Sequence, residues 1–280
     1  MTMTILPDEP AVAALWRYPV KSMQGEELNA TEITALGLLG DRRFAVVDPA
    51  TGKVAGAKNP RKWPGFLQFR ASYVSPPLPG AALPAVRVTL PNGTSVTSEE
   101  AELPKLLSDA LGRDVVFSGA GAPGGMDASD GAGGSAVAED YMIDTEEVID
   151  FDLPAGTFFD CASVHLVTTA TLDRLRSLYP AGRFEPRRFR PNIIVATGPG
   201  VDGFAENDWV GREVAVGDSV RLRVFMATGR CVMTTLPQAD LPKDPGILRT
   251  AAQHNNAAVG VYAEVLCGGT VRRGDRVTVL

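Results

Sequence analysis

Four arginines, Arg183, Arg187, Arg188 and Arg190, fall within eight residues and are opposed only by Glu185. Three smaller basic islands precede them: Arg17 and Lys21 around Tyr18-Pro19, Arg42 and Arg43 after Asp41, and Lys58, Arg61 and Lys62 around Pro60. An arginine fork holds a phosphate through two parallel N–H bonds, and a lysine ammonium acts as a point charge. If distant parts of the chain fold against one another, these islands can converge on one small anion. Taken singly, each also reads as a solvated face.

Cys231 is the most informative of three cysteines. It follows Ala227-Thr228-Gly229-Arg230 at the end of an alternating run, where a strand gives way to a loop. Glycine there permits close backbone approach, and Arg230 favours the thiolate, the form that ligates a metal or attacks. Thr234 and Thr235 add hydroxyls nearby. The other reading is a small buried cysteine without reactivity. Cys267, at a strand end in VLCGG, is read that way. Cys161 and His165, in DCASVH, have the types of a thiol–imidazole nucleophile, but the spacing is unspecific and Asp160 is the one carboxylate beside them. Two histidines without HxH or HExxH argue against zinc or non-haem iron. GAPGG at 121–125 neither follows a strand nor opens a helix, and GxxxxGK[ST] is absent, so no nucleotide loop is expected.

The elements that must position these groups are mostly strands. Residues 11–22 read as a strand entering a turn at Pro19, and Arg43–Val47 as a second ending at Asp48-Pro49. Phe66–Val74 alternates weakly; VRVTL and TSVT flank Pro91-Asn92-Gly93 as a hairpin. Residues 99–111 have helical spacing closed by Gly112, and Thr171–Tyr179 reads as an amphipathic helix. Further strands are expected over 192–197, 221–227, 259–265 and 276–280, two of them after Gly217-Asp218 and Gly274-Asp275.

The 29 glycines and 21 prolines among 280 residues exceed the roughly 12% that the two together average. That favours turns and short strands over a helical bundle. The fold class expected is mainly β (α+β), in two units: residues 1–118 and 136–280, joined by the Gly-rich 119–135, GAGAPGGMDASDGAGGS. A net charge of −6 argues against nucleic acid or anionic lipid as a partner. Apolar runs fall far short of a membrane span, and the three cysteines lack CxxC spacing, so a protein of the reducing cytoplasm is expected.

Five segments, in order, resemble the successive signatures of MOSC-domain proteins: LWRYPVKSMQGEEL (15–28), LGLLGDRRFAVVD (36–48), RRFRPNIIV (187–195), GRCVMTTL (229–236) and GVYAEVLCGGTVRRGDRV (260–277). The likeness is to the two-part form, an N-terminal MOSC β-barrel domain followed by the MOSC core, as in the mitochondrial amidoxime-reducing component family and its bacterial relatives. The resemblance implies a molybdenum–molybdopterin cofactor. It makes Cys231 the metal ligand and Lys21 and Ser22 anchors, with Arg42, Arg190 and Asn192 as further contacts. Gly229, Arg230 and Tyr262 line the same cavity by this likeness, and the segment Asp160–Ser163, with Ser163, and nearby Thr169 match another cofactor-contacting turn. The chain departs from the pattern at Met23, at Ala57-Lys58, and at TTLPQADLPKDPG (234–246).

The same resemblance implies reduction of small N-hydroxylated substrates: amidoximes, hydroxylamines and N-hydroxylated bases. Because the sequence stops at Leu280, without a C-terminal iron–sulfur domain, electrons are expected from a separate protein bearing flavin, haem or iron–sulfur. The alternative is a non-catalytic carrier of the cofactor, or of sulfur on Cys231.

Overall fold

The computed structural model describes residues 9–120, 136–141, 147–153 and 156–280. Its organising element is an eight-stranded sheet, in the order Val277–Val279, Glu213–Val216, Val220–Gly229, Ala258–Cys267, Val164–Thr168, Ile193–Ala196, Ala11–Arg17 and Glu26–Leu28. Val220, Leu222 and Val224 alternate inward with Arg221 and Arg223 outward, so this strand buries one face against Val214, Val261 and Ala263. Val164–Thr168 and Ile193–Ala196 run parallel. Their connection carries the helix Thr169–Leu178, as a parallel crossover requires. Thr168 caps that helix by accepting from the Thr171 N–H, and its buried Leu172 and Leu175 pack with Ile247 and Ala251 of the helix Pro245–Asn255.

Strand Ala11–Arg17 pairs with Ile193–Ala196, Leu15 opposite Ile193, so the N-terminal segment completes the sheet built by the C-terminal half. The chain then enters a second core around Val20, Met23, Trp63, Phe66, Phe69 and Leu107. Strands Arg70–Tyr73, Val86–Thr89 and Ser95–Thr97 form a meander there, with the expected hairpin between the last two. The strand expected over 66–74 is shortened, because left-handed Gly65 (φ 74°) starts a 3-10 turn over Phe66–Gln68. Helix Leu103–Leu111 buries Leu103, Leu107 and Leu111 and ends on left-handed Gly112, as its spacing predicts.

Of the Gly-rich segment, Gly119 closes the strand Val116–Gly119, paired with Phe44–Val47, while residues 121–135 lie outside the described residues. A hairpin of Val137–Tyr141 and Val148–Asp152 follows, and Ala138 packs with Ala45, Val47, Val54 and Phe158. The architecture is mainly β, with 36% strand and 19% helix among the described residues. No helix among the described residues is long and apolar enough to cross a membrane.

Candidate cofactor site

Where the two cores meet, a cavity of about 220 Å³ receives side chains from segments far apart in sequence. Three non-glycine residues on its wall hold left-handed backbone: Ser22 (φ 63°), Arg42 (φ 47°) and Arg190 (φ 55°). Such conformations cost of order 1 kcal/mol each and persist where the surroundings over-determine them. Each has a local cause. Ser22 closes the turn after the first strand, and its Oγ accepts from the Ala57 N–H at 3.1 Å. Arg42 donates its N–H to the Tyr18 carbonyl and accepts at its own carbonyl from Phe158. Arg190 ends the one-turn helix Pro186–Phe189.

Asp41, 1% exposed, ties the basic residues together. Its carboxylate accepts from the Tyr18 N–H at 2.6 Å and from Asn192 Nδ2 at 2.9 Å, and pairs with Arg42. Asn192 Oδ1 accepts in turn from the His165 N–H at 3.1 Å, tying the network to the strand Val164–Thr168. The Tyr18 ring lies between two cations, Arg190 at 4.2 Å and Arg42 at 4.8 Å from its centroid. Arg190 Nη1 donates to the Met23 carbonyl at 2.5 Å, whereas Nη2 is buried without a hydrogen-bond partner. Burial, then repulsion from Arg42, brings the Arg190 guanidinium down to about 10. A second anion-seeking group is Lys21, which burial lowers to about 8 although Asp160 pairs with it.

On the same cavity, the bulged pairing of Val220–Gly229 with Ala258–Cys267 shifts register between Ala227 and Gly229 and turns the chain toward Cys231. Burial pushes the Cys231 thiol up, with the Lys58 ammonium pulling the other way. Arg230 is spent on the fold: it donates to the Phe189 and Val259 carbonyls and lies 2.7 Å from His165 Nε2. Burial, reinforced by Arg230, therefore holds His165 neutral, well below 6.5. His165 packs edge-on against Tyr262 and does not form a nucleophilic pair with Cys161, whose sulfur sits 3.9 Å from Met226 Sδ.

Lys21, Ser22, Arg42, Arg190, Asn192, Gly229, Arg230, Cys231 and Tyr262 thus share one cavity. Ser163 and Thr169 do not. The chain turns after Ala162, leaving Ser163 in a separate hollow with Leu36, Phe225 and Glu264. Thr169 opens the helix Thr169–Leu178 beyond the end of the strand that carries His165, and its Oγ1 accepts from the Thr197 N–H. The arginine island also divides. Arg183 and Arg187 pair with Glu185 and Asp240 at the surface, while Arg188 and Arg190 turn inward. Lys58, Asp140 and Asp160 line the cavity as well. The basic island around Pro60 signalled the first, and nothing local marks Asp140.

This donor set suits a group with an anionic end and a soft metal. Gly229 has no heavy atom within 4 Å of where a Cβ would stand, and Arg190 and Cys231 line the same space. Among the described residues no three His, Cys, Asp or Glu side chains gather as a metal cage, so a metal held at Cys231 would bring other ligands with it.

The sequence profile of the MOSC domain matches residues 154–278, and that of the MOSC N-terminal beta barrel domain matches residues 9–110. The chain belongs to the MOSC-domain family, in the form that carries this N-terminal domain. Its relatives include the mitochondrial amidoxime reducing component 2 of Rattus norvegicus, 24% identical over 95% of this chain and 82% of that protein. The mitochondrial amidoxime-reducing component 1 of Homo sapiens is 25% identical over 96% of this chain and 82% of the relative. Among solved structures, the YUAD protein from Bacillus subtilis aligns with a TM-score of 0.46 and 12% identity, over 98% of both chains.

Proposed function

We propose that this protein is a molybdenum–molybdopterin oxidoreductase that reduces N-hydroxylated compounds, in the manner the names of its amidoxime-reducing relatives suggest. One observation carries the reading: the soft donor Cys231 and the cations Lys21, Arg42 and Arg190 share a cavity with Ser22, Asn192, Gly229 and Tyr262, which the family resemblance also selects. Cys231 would hold the metal; Lys21, Arg42 and Arg190 would neutralise the phosphate, and Ser22 and Asn192 would fix the loops that carry them. When bound, the cofactor supplies two-electron oxygen-atom chemistry. The reaction balances as R–N–OH plus two electrons and two protons giving R–N–H plus water, with electrons from a separate flavin, haem or iron–sulfur protein. We retain the division into residues 1–118 and 136–280, joined by 119–135, with the strands Ala11–Arg17 and Glu26–Leu28 crossing into the sheet of the second unit, and a reducing, cytoplasmic setting as parts of this reading.

The test is expression in a cofactor-competent host, with molybdenum by elemental analysis and pterin by fluorescence, beside Cys231→Ala. Near one equivalent of each, with turnover of benzamidoxime by the reduced protein, is expected. Less than a tenth of an equivalent in the unmutated chain overturns the reading. Full cofactor without turnover, or a persulfide on Cys231, would turn it toward a carrier.

A further inference from the structure

An alternating ladder of charges runs along one wall of the cavity: Lys21, Asp160, Lys58, Asp140. Asp160 pairs with Lys21 through Oδ1 and lies 3.5 Å from Lys58 Nζ through Oδ2. Lys58 in turn lies 3.3 Å from Asp140 Oδ2. Asp140 comes from the hairpin strand Val137–Tyr141, and Lys58 from a turn fixed by the Ala57 N–H to Ser22 Oγ bond. Lys58 and Cys231 line the same 220 Å³ space. A half-buried ammonium held by two carboxylates is costly to desolvate. Its carboxylate partners Asp160 and Asp140 keep Lys58 a cation and hydrogen-bond donor on the cavity wall.

We propose that Lys58 recognises the oxygen of the substrate's N–O group by donating a hydrogen bond to it beside Cys231, and that Asp140 is the positioning residue that aims the ammonium. The inference rests on the functional reading above and extends it to substrate selection. A neutral amidoxime offers Lys58 an acceptor oxygen. The amidine formed from it lacks that oxygen and carries a positive charge at neutral pH, so the same ammonium repels it. Lys58 therefore favours substrate over product at one place.

The experiment compares the holoprotein with Lys58→Met, Lys58→Arg and Asp140→Asn, using benzamidoxime as substrate and benzamidine as the oxygen-free ligand. Molybdenum and pterin contents and calorimetric Kd values are read beside kcat and KM. Losing a charged hydrogen bond should lower kcat/KM for benzamidoxime, and weaken its binding, about 10- to 100-fold in Lys58→Met. Cofactor content should hold, and benzamidine should bind no more weakly. Lys58→Arg should recover most of the loss, and Asp140→Asn should give a smaller change in the same direction. The inference is overturned if Lys58→Met, fully loaded, stays within twofold of the parent, if both ligands weaken equally, or if activity falls only as cofactor is lost. A parent protein without molybdenum and pterin overturns the functional reading and this inference with it.

Discussion

The Arg190 guanidinium stands over the Tyr18 ring, 4.2 Å from its centroid, and these two residues lie far apart in the sequence. Tyr18 is buried, and its hydroxyl donates to the Pro191 carbonyl at 3.1 Å, next to the arginine it supports. Tyr18→Phe keeps the ring and leaves one buried carbonyl unpaired, at a cost of about 1–2 kcal/mol in urea unfolding. Its cofactor retention should match the parent. Tyr18→Leu also removes the surface shared by Arg190 and Arg42, each contact worth about 1 kcal/mol or more when desolvated. Pterin remaining after exhaustive dialysis should fall in Tyr18→Leu and not in Tyr18→Phe.

Two glycines on neighbouring strands should respond oppositely to alanine. A Cβ on Gly229 meets no heavy atom within 4 Å, so Gly229→Ala should melt within about 2 °C of the parent. Because that methyl group occupies the cavity, bound pterin should drop. Gly260 has φ +85°, and a Cβ there would lie 2.4 Å from His165 Nε2 and from the Leu166 carbonyl. Gly260→Ala should cost about 3 kcal/mol or fail to fold, as thermal unfolding will report.

Arg188 is structural rather than anion-binding. Its buried guanidinium donates to the carbonyls of Arg183 (2.9 Å), Thr234 (3.1 Å), Leu236 (3.3 Å) and Pro242 (2.9 Å), stitching down the chain that follows Cys231. Arg188→Leu leaves these carbonyls without their donor and should destabilise the protein by about 3 kcal/mol or more. Limited proteolysis should show new cleavage between residues 232 and 244. Added phosphate should not restore protection.

Glu206 sets a pH dependence. It is fully buried, with Oε2 accepting from Thr168 (2.5 Å) and Thr171 (2.6 Å) and Oε1 unpartnered. Burial raises its pKa above the ordinary 4.5, and the threonine hydrogen bonds only partly offset this. Above 4.5 the folded protein then binds more protons at this site than the unfolded chain. Its contribution to stability is therefore lost as pH rises from 4.5 through the folded pKa. Glu206→Gln should be more stable than the parent at pH 7–8, with the difference shrinking as pH approaches 4.5 in parallel urea titrations.

The local rules determined much of this molecule. Leu103, Leu107 and Leu111 repeat at helical spacing before Gly112, and the Asn92-Gly93 turn joins its two strands, because these choices depend on neighbouring residues alone. The family signatures selected Cys231, Lys21, Arg42, Arg190 and Asn192 in the same way, as short motifs. Tertiary structure decided what was not local. It paired Leu15 with Ile193 and joined the N-terminal strand to the C-terminal sheet; hydrogen-bond partners so far apart leave no periodic trace. It sorted the arginines, sending Arg183 and Arg187 to Asp240 at the surface and Arg188 and Arg190 inward. It left Ser163 and Thr169 outside the cavity, because the chain turns after Ala162 and the strand Val164–Thr168 then carries it onward by about 3.3 Å per residue. It also brought Lys58 and Asp140 to one cavity wall beside Cys231. An acidic chain of net charge −6 holds a basic cavity because folding buries cations among a few paired carboxylates and leaves most of the others outside.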